Sequence, residues 1–130
     1  MNVFLLDTHA LYWHLFRPEK LSAPAKRTIA DGEAGVVQLA ISHIALAELC
    51  FLLKKLGQER DFPPALAAIR RNPNYSMEPV ALEDIERLPE YPEVPEMHDR
   101  LLVAGTNRLG GTLVTKDAII QASPQVKWLW

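Results

Sequence analysis

The sequence is poor in cysteine and has no long apolar run, and each absence excludes a class of protein. Only one of its 130 residues, Cys50, is a cysteine, which excludes an internal disulfide framework and a CxxC zinc site. No apolar run approaches the length that crosses a bilayer. The N-terminus has neither a basic segment nor a small-residue cleavage site, so we expect no signal peptide and a cytoplasmic protein.

The net charge of the chain is also small. The sequence has 14 Lys and Arg residues against 16 Asp and Glu residues, a formal charge of −2 at pH 7. This balance gives no electrostatic reason to expect a polyanionic partner. A nucleic acid would have to bind through local basic groups or a bound metal. The length of the chain predicts a single domain, residues 1–130.

Short apolar runs alternate with helical patterns along the chain. The runs at 3–6, 36–41 and 112–115 predict buried strands. Weaker strand patterns lie at 76–80, where Pro79 favours a sheet edge, and at 126–130. Helices are predicted over 8–16, 22–32, 42–56, 61–71, 82–88 and 98–109, with a proline-rich acidic loop at 89–96. The alternation predicts an α/β sandwich, with helices flanking a central, mostly parallel sheet.

Two aspartates follow predicted strands. Asp7 comes directly after the run at 3–6, and Asp117 follows the run at 112–115 with only Lys116 between. Ligands of open parallel sheets bind outside the carboxyl ends of the strands, so both carboxylates are expected at one edge. The alternative for each is a helix N-cap, since Asp is a good capping residue and a helix follows each one.

Glu48 lies within the apolar stripe of the helix predicted over 42–56. It stands four residues after Ile44 and four before Leu52, which share its helix face. A buried carboxylate is costly unless it is paired, protonated or bound to a metal. We interpret Glu48 as a site residue; the alternatives are an ion pair with Arg100 and a helix that faces the other way.

Asp99 lies in the first turn of the helix predicted over 98–109. Its alternative role is a favourable interaction with the helix dipole, a role that Glu96 could share. Four acids at one edge, Asp7, Glu48, Asp99 and Asp117, could not all stay ionised without a cation. We expect oxygen ligands alone, which suit Mg²⁺ or Mn²⁺, because no histidine lies at metal-ligand spacing. Such a site supports metal-assisted phosphodiester hydrolysis.

Four blocks of sequence carry a family resemblance. They are LLDTHALYW at 5–13, ISHIALAELCFLLKKLG at 41–57, MHDRLLVAGTNRLGGTLVTKDAII at 97–120 and VKWLW at 126–130. In their order and spacing, the sequence resembles PIN-domain ribonucleases, and specifically the VapC-type toxins of bacterial toxin–antitoxin pairs. The blocks span the chain almost end to end.

The resemblance implies a PIN-like three-layer sandwich and endoribonuclease activity. It implies a pocket for Mg²⁺ or Mn²⁺ made by Asp7, Glu48, Asp99 and Asp117, an RNA substrate, a homodimer and a small antitoxin partner. Thr8 and Thr115 match positions that often support such a pocket by hydrogen bonding. Many relatives carry an Asp three residues before the third acid, where this chain has Glu96.

Other side chains near the proposed site have more ordinary interpretations. Arg100 and Lys116 each adjoin a site acid and are candidates for phosphate contacts, although Arg100 could instead pair with Glu96 or Glu48. Tyr12, Trp13 and Phe16 are expected to pack in the core or at a dimer face.

Two alternative functions remain open at this point. One is a PIN-like binding or regulatory module without catalysis. The other is an aspartyl-phosphate phosphatase, because LLDT also opens such folds. Phosphatases of that kind usually need a second acid two residues after the nucleophile, where this chain has His9.

Overall fold

The computed structural model describes all 130 residues and contains one sheet of five parallel strands. The strands are β1 (Val3–Leu6), β2 (Gln38–Ser42), β3 (Tyr75–Glu78), β4 (Thr112–Val114) and β5 (Trp128–Leu129). Their order in the sheet is β3-β2-β1-β4-β5, and each neighbouring pair runs parallel. The predicted parallel sheet is confirmed, and β3 lies at an edge as the proline after it indicated.

Seven helices connect the strands and flank the sheet. They are α1 (Thr8–Phe16), α2 (Ala23–Glu33), α3 (His43–Lys55), α4 (Phe62–Arg71), α5 (Leu82–Glu86), α6 (Met97–Arg108) and α7 (Ala118–Gln121). Short 3-10 turns lie at Pro18–Lys20, Glu59–Asp61 and Leu88–Glu90. None of the helices combines the length and the apolar character that a membrane span requires.

Local sequence signals set the ends of several helices. Ser22 caps α2 by accepting a 3.1 Å hydrogen bond from the N–H of Ala25, and Ser42 caps α3 in the same way. Gly57 and Gly110 follow α3 and α6 with φ angles of 73° and 63°. Glycine adopts this left-handed conformation without strain, which is why it ends helices. These signals explain why the predicted and observed bounds agree closely.

The sheet buries an apolar layer on each face, because successive residues of a strand point to opposite sides. Leu6 of β1 belongs to a core cluster that includes side chains of α1, α2, α3 and α4. Leu5, its neighbour, belongs to a second cluster with side chains of α6 and α7. Helices therefore cover the sheet from both sides, which is the predicted three-layer arrangement.

The proline-rich segment at 89–96 is a loop, as expected, but two of its side chains anchor it. Tyr91 and Val94 are 3% and 0% exposed, and Tyr91 packs in the second core cluster. This burial fixes the path of the chain into α6. The residues that begin α6 are therefore held firmly at the sheet edge described next.

Candidate active site

The carboxyl ends of β1 and β4 meet where the strand order of the sheet reverses. From β1, the sheet extends to β2 and β3 on one side and to β4 and β5 on the other. The N–H of Asp7 donates a 3.1 Å hydrogen bond to the carbonyl oxygen of Val114, which ties the two strand ends together. The crevice at such a switch point is where ligands of open α/β sheets bind.

An open cleft of about 620 Å³ lies at this edge of the sheet. Five carboxylates line the cleft, those of Asp7, Glu48, Glu96, Asp99 and Asp117. The other lining residues are Thr8, His9, Trp13, Leu52, Leu102 and Lys116. The acids that the sequence singled out thus share one cleft, although they come from separate parts of the chain. Their catalytic role stays a prediction.

Asp7 is the one buried acid of the cleft, with 8% of its surface exposed. Its Oδ1 accepts a 2.7 Å hydrogen bond from the N–H of Ala10 and so caps α1. Burial raises the pKa of Asp7; hydrogen bonds with Thr115 and Ala10 oppose this rise, and the charge of Asp117 adds to it. The helix-cap interpretation is therefore correct, and the same side chain also lines the cleft.

Glu48 lies at the margin of the buried face of α3 and turns into the cleft. Thr8 donates a 2.8 Å hydrogen bond from Oγ1 to Glu48 Oε1, and Glu48 Oε2 lies 3.9 Å from Nδ1 of His98. Its side chain is 30% exposed, whereas the adjacent Leu49 is fully buried. The helix therefore does not face the other way, and Thr8 makes the kind of supporting hydrogen bond that was expected.

Arg100 does not occupy the position predicted for it. Its guanidinium donates to the carbonyl oxygens of Val94 and Leu88, the latter at 3.1 Å. It forms no ion pair with Glu48 or Glu96 and does not line the cleft. The alternative of an ion pair with either acid is therefore wrong, because Arg100 satisfies backbone carbonyl groups of the segment before α6. Its phosphate contact stays a prediction.

Asp99 has a strongly perturbed carboxyl group. Burial raises the pKa of Asp99 from 3.8 to about 7, and the charges of Asp117, Glu96, Glu48 and Asp7 add to this effect in that order. Every other carboxylate of the cleft contributes, so the five groups form one electrostatic cluster. Carboxylates this close together cannot all stay ionised unless a cation lies between them.

Glu96 and His98 form a second group at the mouth of the cleft. One oxygen of Glu96 accepts a 2.9 Å hydrogen bond from the N–H of Asp99, and the other lies 2.7 Å from Nδ1 of His98. Burial alone would raise the pKa of Glu96, but the backbone N–H groups of Asp99 and His98 and the His98 ring lower it overall.

His98 lies close to two of the acids. Glu48, Glu96 and His98 each place one potential metal-ligand atom within 4.8 Å of the others. His98 is thus an additional candidate donor, and the expectation of oxygen ligands alone stays a prediction. The fold brings a histidine to the acids across a gap of 50 residues, which sequence spacing could not indicate.

The turn after β4 is fixed by a buried hydroxyl. Thr115 is 0% exposed, and its Oγ1 accepts a 3.0 Å hydrogen bond from the N–H of Asp117. Asp117 in turn caps α7, since its Oδ1 accepts from the N–H groups of Ile119 and Ile120 at 2.8 and 3.3 Å. The cap interpretation of Asp117 is correct as well, and Thr115 holds it beside Asp7.

Of the three aromatic residues of α1, one lies in the cleft. Tyr12 and Phe16 stack on each other with ring centroids 5.3 Å apart and pack with the first core cluster, as expected. Trp13 packs partly against the same cluster but also lines the cleft. The sequence contained a sign that Trp13 lies in the cleft. His9 follows Asp7 by two residues, and Trp13 lies on the same helix face as His9.

The perturbed carboxyl of Asp99 makes the stability of the metal-free protein depend on pH. Its pKa is 3.8 when unperturbed and about 7 in the fold, so between these values the folded state binds more protons than the unfolded state. The free energy of unfolding therefore falls as pH rises from about 4 to about 7. Asp99→Asn removes this contribution and should show a smaller fall.

Urea denaturation in EDTA at pH 5 and pH 8 measures this difference. Asp61→Asn is a matched control, because Asp61 is also half-buried, lies outside the cleft and makes no side-chain cap. It should behave like the wild type. If the free energy of unfolding falls equally between pH 5 and pH 8 in the wild type and in Asp99→Asn, the raised pKa of Asp99 is not the cause of the pH dependence.

Comparison with known proteins gives one family and a set of similar folds. The family model described as PIN domain matches residues 4–123. No curated protein sequence matches the chain. Similar solved structures include VapBC2 from Rickettsia felis bound to a fragment of promoter DNA, with a TM-score of 0.76 at 15% identity, covering 98% of this chain and 97% of that one.

Two further structures have similar values. The DNA-bound VapBC from Salmonella typhimurium gives a TM-score of 0.73 at 15% identity and covers 99% of this chain and 98% of that one. The sarcin–ricin loop cleaving toxin VapC20 from Mycobacterium tuberculosis gives 0.71 at 19% identity and covers 93% and 95%. At these identities the likeness establishes a shared fold.

Proposed function

Since the chain belongs to the PIN domain family, we propose that it is a metal-dependent endoribonuclease and the toxin of a toxin–antitoxin pair. The observation that carries the proposal is the cleft with five carboxylates, in which the pKa of Asp99 is raised to about 7. The descriptions of similar structures support it, because one is a sarcin–ricin loop cleaving toxin and another is a toxin–antitoxin complex from Klebsiella pneumoniae. Residues 1–130 would act as a single domain in the cytoplasm.

The side chains of the cleft fit a divalent cation. Asp7 and Asp99 would be its principal ligands, and Glu48 and Asp117 would complete the site directly or through water. Carboxylate oxygens suit Mg²⁺ and Mn²⁺, and a cation would relieve the repulsion that raises the pKa of Asp99. When bound, it would activate water and stabilise the charge that builds on a phosphate.

The protein's own side chains orient the reacting groups. The hydroxyl of Thr8 fixes Glu48, and the buried hydroxyl of Thr115 fixes the turn that carries Asp117. One carboxylate of the cleft would orient the attacking water toward the phosphorus. Attack by water breaks the bond to the 3′ oxygen, so the products carry a 5′-phosphate and a 3′-hydroxyl.

Protein partners form the second half of the proposal. The proposed partners are a small antitoxin and a second copy of the chain. Several large apolar side chains are left exposed at the surface, among them Phe51 and Leu82, at 72% and 71%. The similar structure described as a toxin–antitoxin complex supports the antitoxin partner, and exposed side chains such as these are available to contact it.

The proposal predicts cleavage of RNA that requires a divalent metal. Purified protein with Mg²⁺ or Mn²⁺ should cut a single-stranded oligoribonucleotide internally, and EDTA should stop the reaction. Mapping of the ends should find 5′-phosphates and 3′-hydroxyls. Ends with a cyclic phosphate, or cleavage that persists in EDTA, would contradict a metal-activated water.

Calorimetry with Mn²⁺ separates this proposal from the alternatives. A binding module without a metal pocket should give no site-specific heat. An aspartyl-phosphate phosphatase should instead trap a phosphoryl analogue on Asp7. That chemistry is poorly supported, because Asp7 is nearly buried and His9 stands where a second acid is usually needed.

A further inference from the structure

The wall of the cleft beside Asp7 is aromatic. Trp13 and His9 lie one helical turn apart on α1, with ring centroids 5.6 Å apart and planes inclined by 55°. Both side chains line the cleft. Trp130, near the C-terminus, supports Trp13 from another side at a centroid distance of 5.6 Å. The indole is therefore held in place by packing while part of it remains accessible from the cleft.

One flexible cation lies over this indole. Nζ of Lys116 is 5.9 Å from the centroid of the Trp13 ring, and Lys116 is itself exposed. It is the only Lys or Arg among the residues that line the cleft. The contact is a cation–π interaction at an exposed site, which is weak and easily exchanged for another partner.

The charge of the cleft limits how a nucleic acid can be held. Five carboxylates face one lysine, so the cleft offers little attraction to the phosphates on either side of the one being cut. Proteins that bind single strands gain affinity from bases stacked on aromatic side chains as well as from basic groups along the backbone. In this cleft, Trp13 and His9 are the aromatic groups available for this purpose.

We propose that Trp13, flanked by His9, stacks on one unpaired nucleobase next to the scissile phosphate, and that Lys116 leaves the ring to contact the neighbouring phosphate. This inference rests on the proposed ribonuclease function and adds to it the side chains that position the substrate beside the cut. A base held in a duplex could not reach the indole without leaving its own stack.

The test combines variants of Trp13 with an RNA that lacks one base. Trp13→Leu keeps apolar packing and removes the aromatic face, so KM for a single-stranded oligoribonucleotide should rise on the order of tenfold, the effect of losing one stacked base. The turnover number should change little. Trp13→Phe should restore most of the loss, and Trp128→Leu, an exposed tryptophan outside the cleft, should resemble the wild type.

An abasic nucleotide is then moved along the oligoribonucleotide. At one position beside the cut, the abasic nucleotide should raise the KM of the wild type as much as Trp13→Leu does. In the Trp13→Leu variant, the same abasic nucleotide should cause no further rise in KM. Independent, additive effects would overturn the inference, as would an unchanged KM in Trp13→Leu. If the wild type cuts no RNA with either metal, the proposed function fails and the inference fails with it.

Discussion

The Asp7→Asn variant should lose metal-dependent RNA cleavage while keeping its fold. Asparagine retains the Oδ1 that caps α1 through the N–H of Ala10, and it is as good an N-cap as aspartate. What it removes is the negative charge that would bind the metal. We expect kcat/KM to fall by at least about a hundredfold, the size of effect seen when one preorganised electrostatic contact is lost.

The same substitution should not destabilise the metal-free protein. Burial raises the pKa of Asp7, which means that the fold disfavours its charged form. A neutral asparagine should therefore melt at the same temperature as the wild type in EDTA, or higher. Cleavage assays and circular dichroism measure the two effects, with Asp61→Asn as the control. Undiminished cleavage by Asp7→Asn would exclude its role as a metal ligand.

The largest effect on stability is expected at the ion pair between α5 and α6. Asp84 is 2% exposed and accepts hydrogen bonds from Nε and Nη2 of Arg108 at 2.9 and 3.2 Å. It also accepts a 3.0 Å bond from the N–H of Ala81. Removal of one partner of a buried ion pair costs roughly 3–5 kcal/mol, because the other charge is left without compensation.

Asp84→Ala should therefore lower the free energy of unfolding by about 3 kcal/mol, the lower end of that range, since Arg108 is partly exposed and can reach water. Glu83→Ala is the matched control, because Glu83 is an exposed neighbour on the same helix. It should change stability by less than about 0.5 kcal/mol. Urea denaturation measures both, and equal stability of the two variants would contradict the prediction.

Much of the fold could be predicted because its signals are local. The run at 3–6 and the caps at Ser22 and Ser42 depend on residues that are close in sequence, and the structure has the corresponding elements at nearly the same bounds. The position of Asp7 and Asp117 at one edge follows from a general property of parallel sheets. These inferences needed no knowledge of which helices touch.

The features that could not be predicted depend on contacts between distant parts of the chain. Arg100 satisfies carbonyl groups of a loop whose path is set by the burial of Tyr91 and Val94. His98 reaches Glu48 because α6 begins beside α3. Helical periodicity fixes the face on which a side chain lies, but it does not fix which neighbour will cover that face.

The order of the strands has a consequence for synthesis on the ribosome. Strand β1 is made first, yet its second neighbour in the sheet, β4, begins only at residue 112. A nascent chain can pair β1 with β2, and β2 with β3, but one edge of β1 stays open until β4 emerges. Asp7 and Asp117 therefore cannot meet until translation has passed residue 117. Under the proposed function, an unfinished chain would be harmless to the cell that makes it.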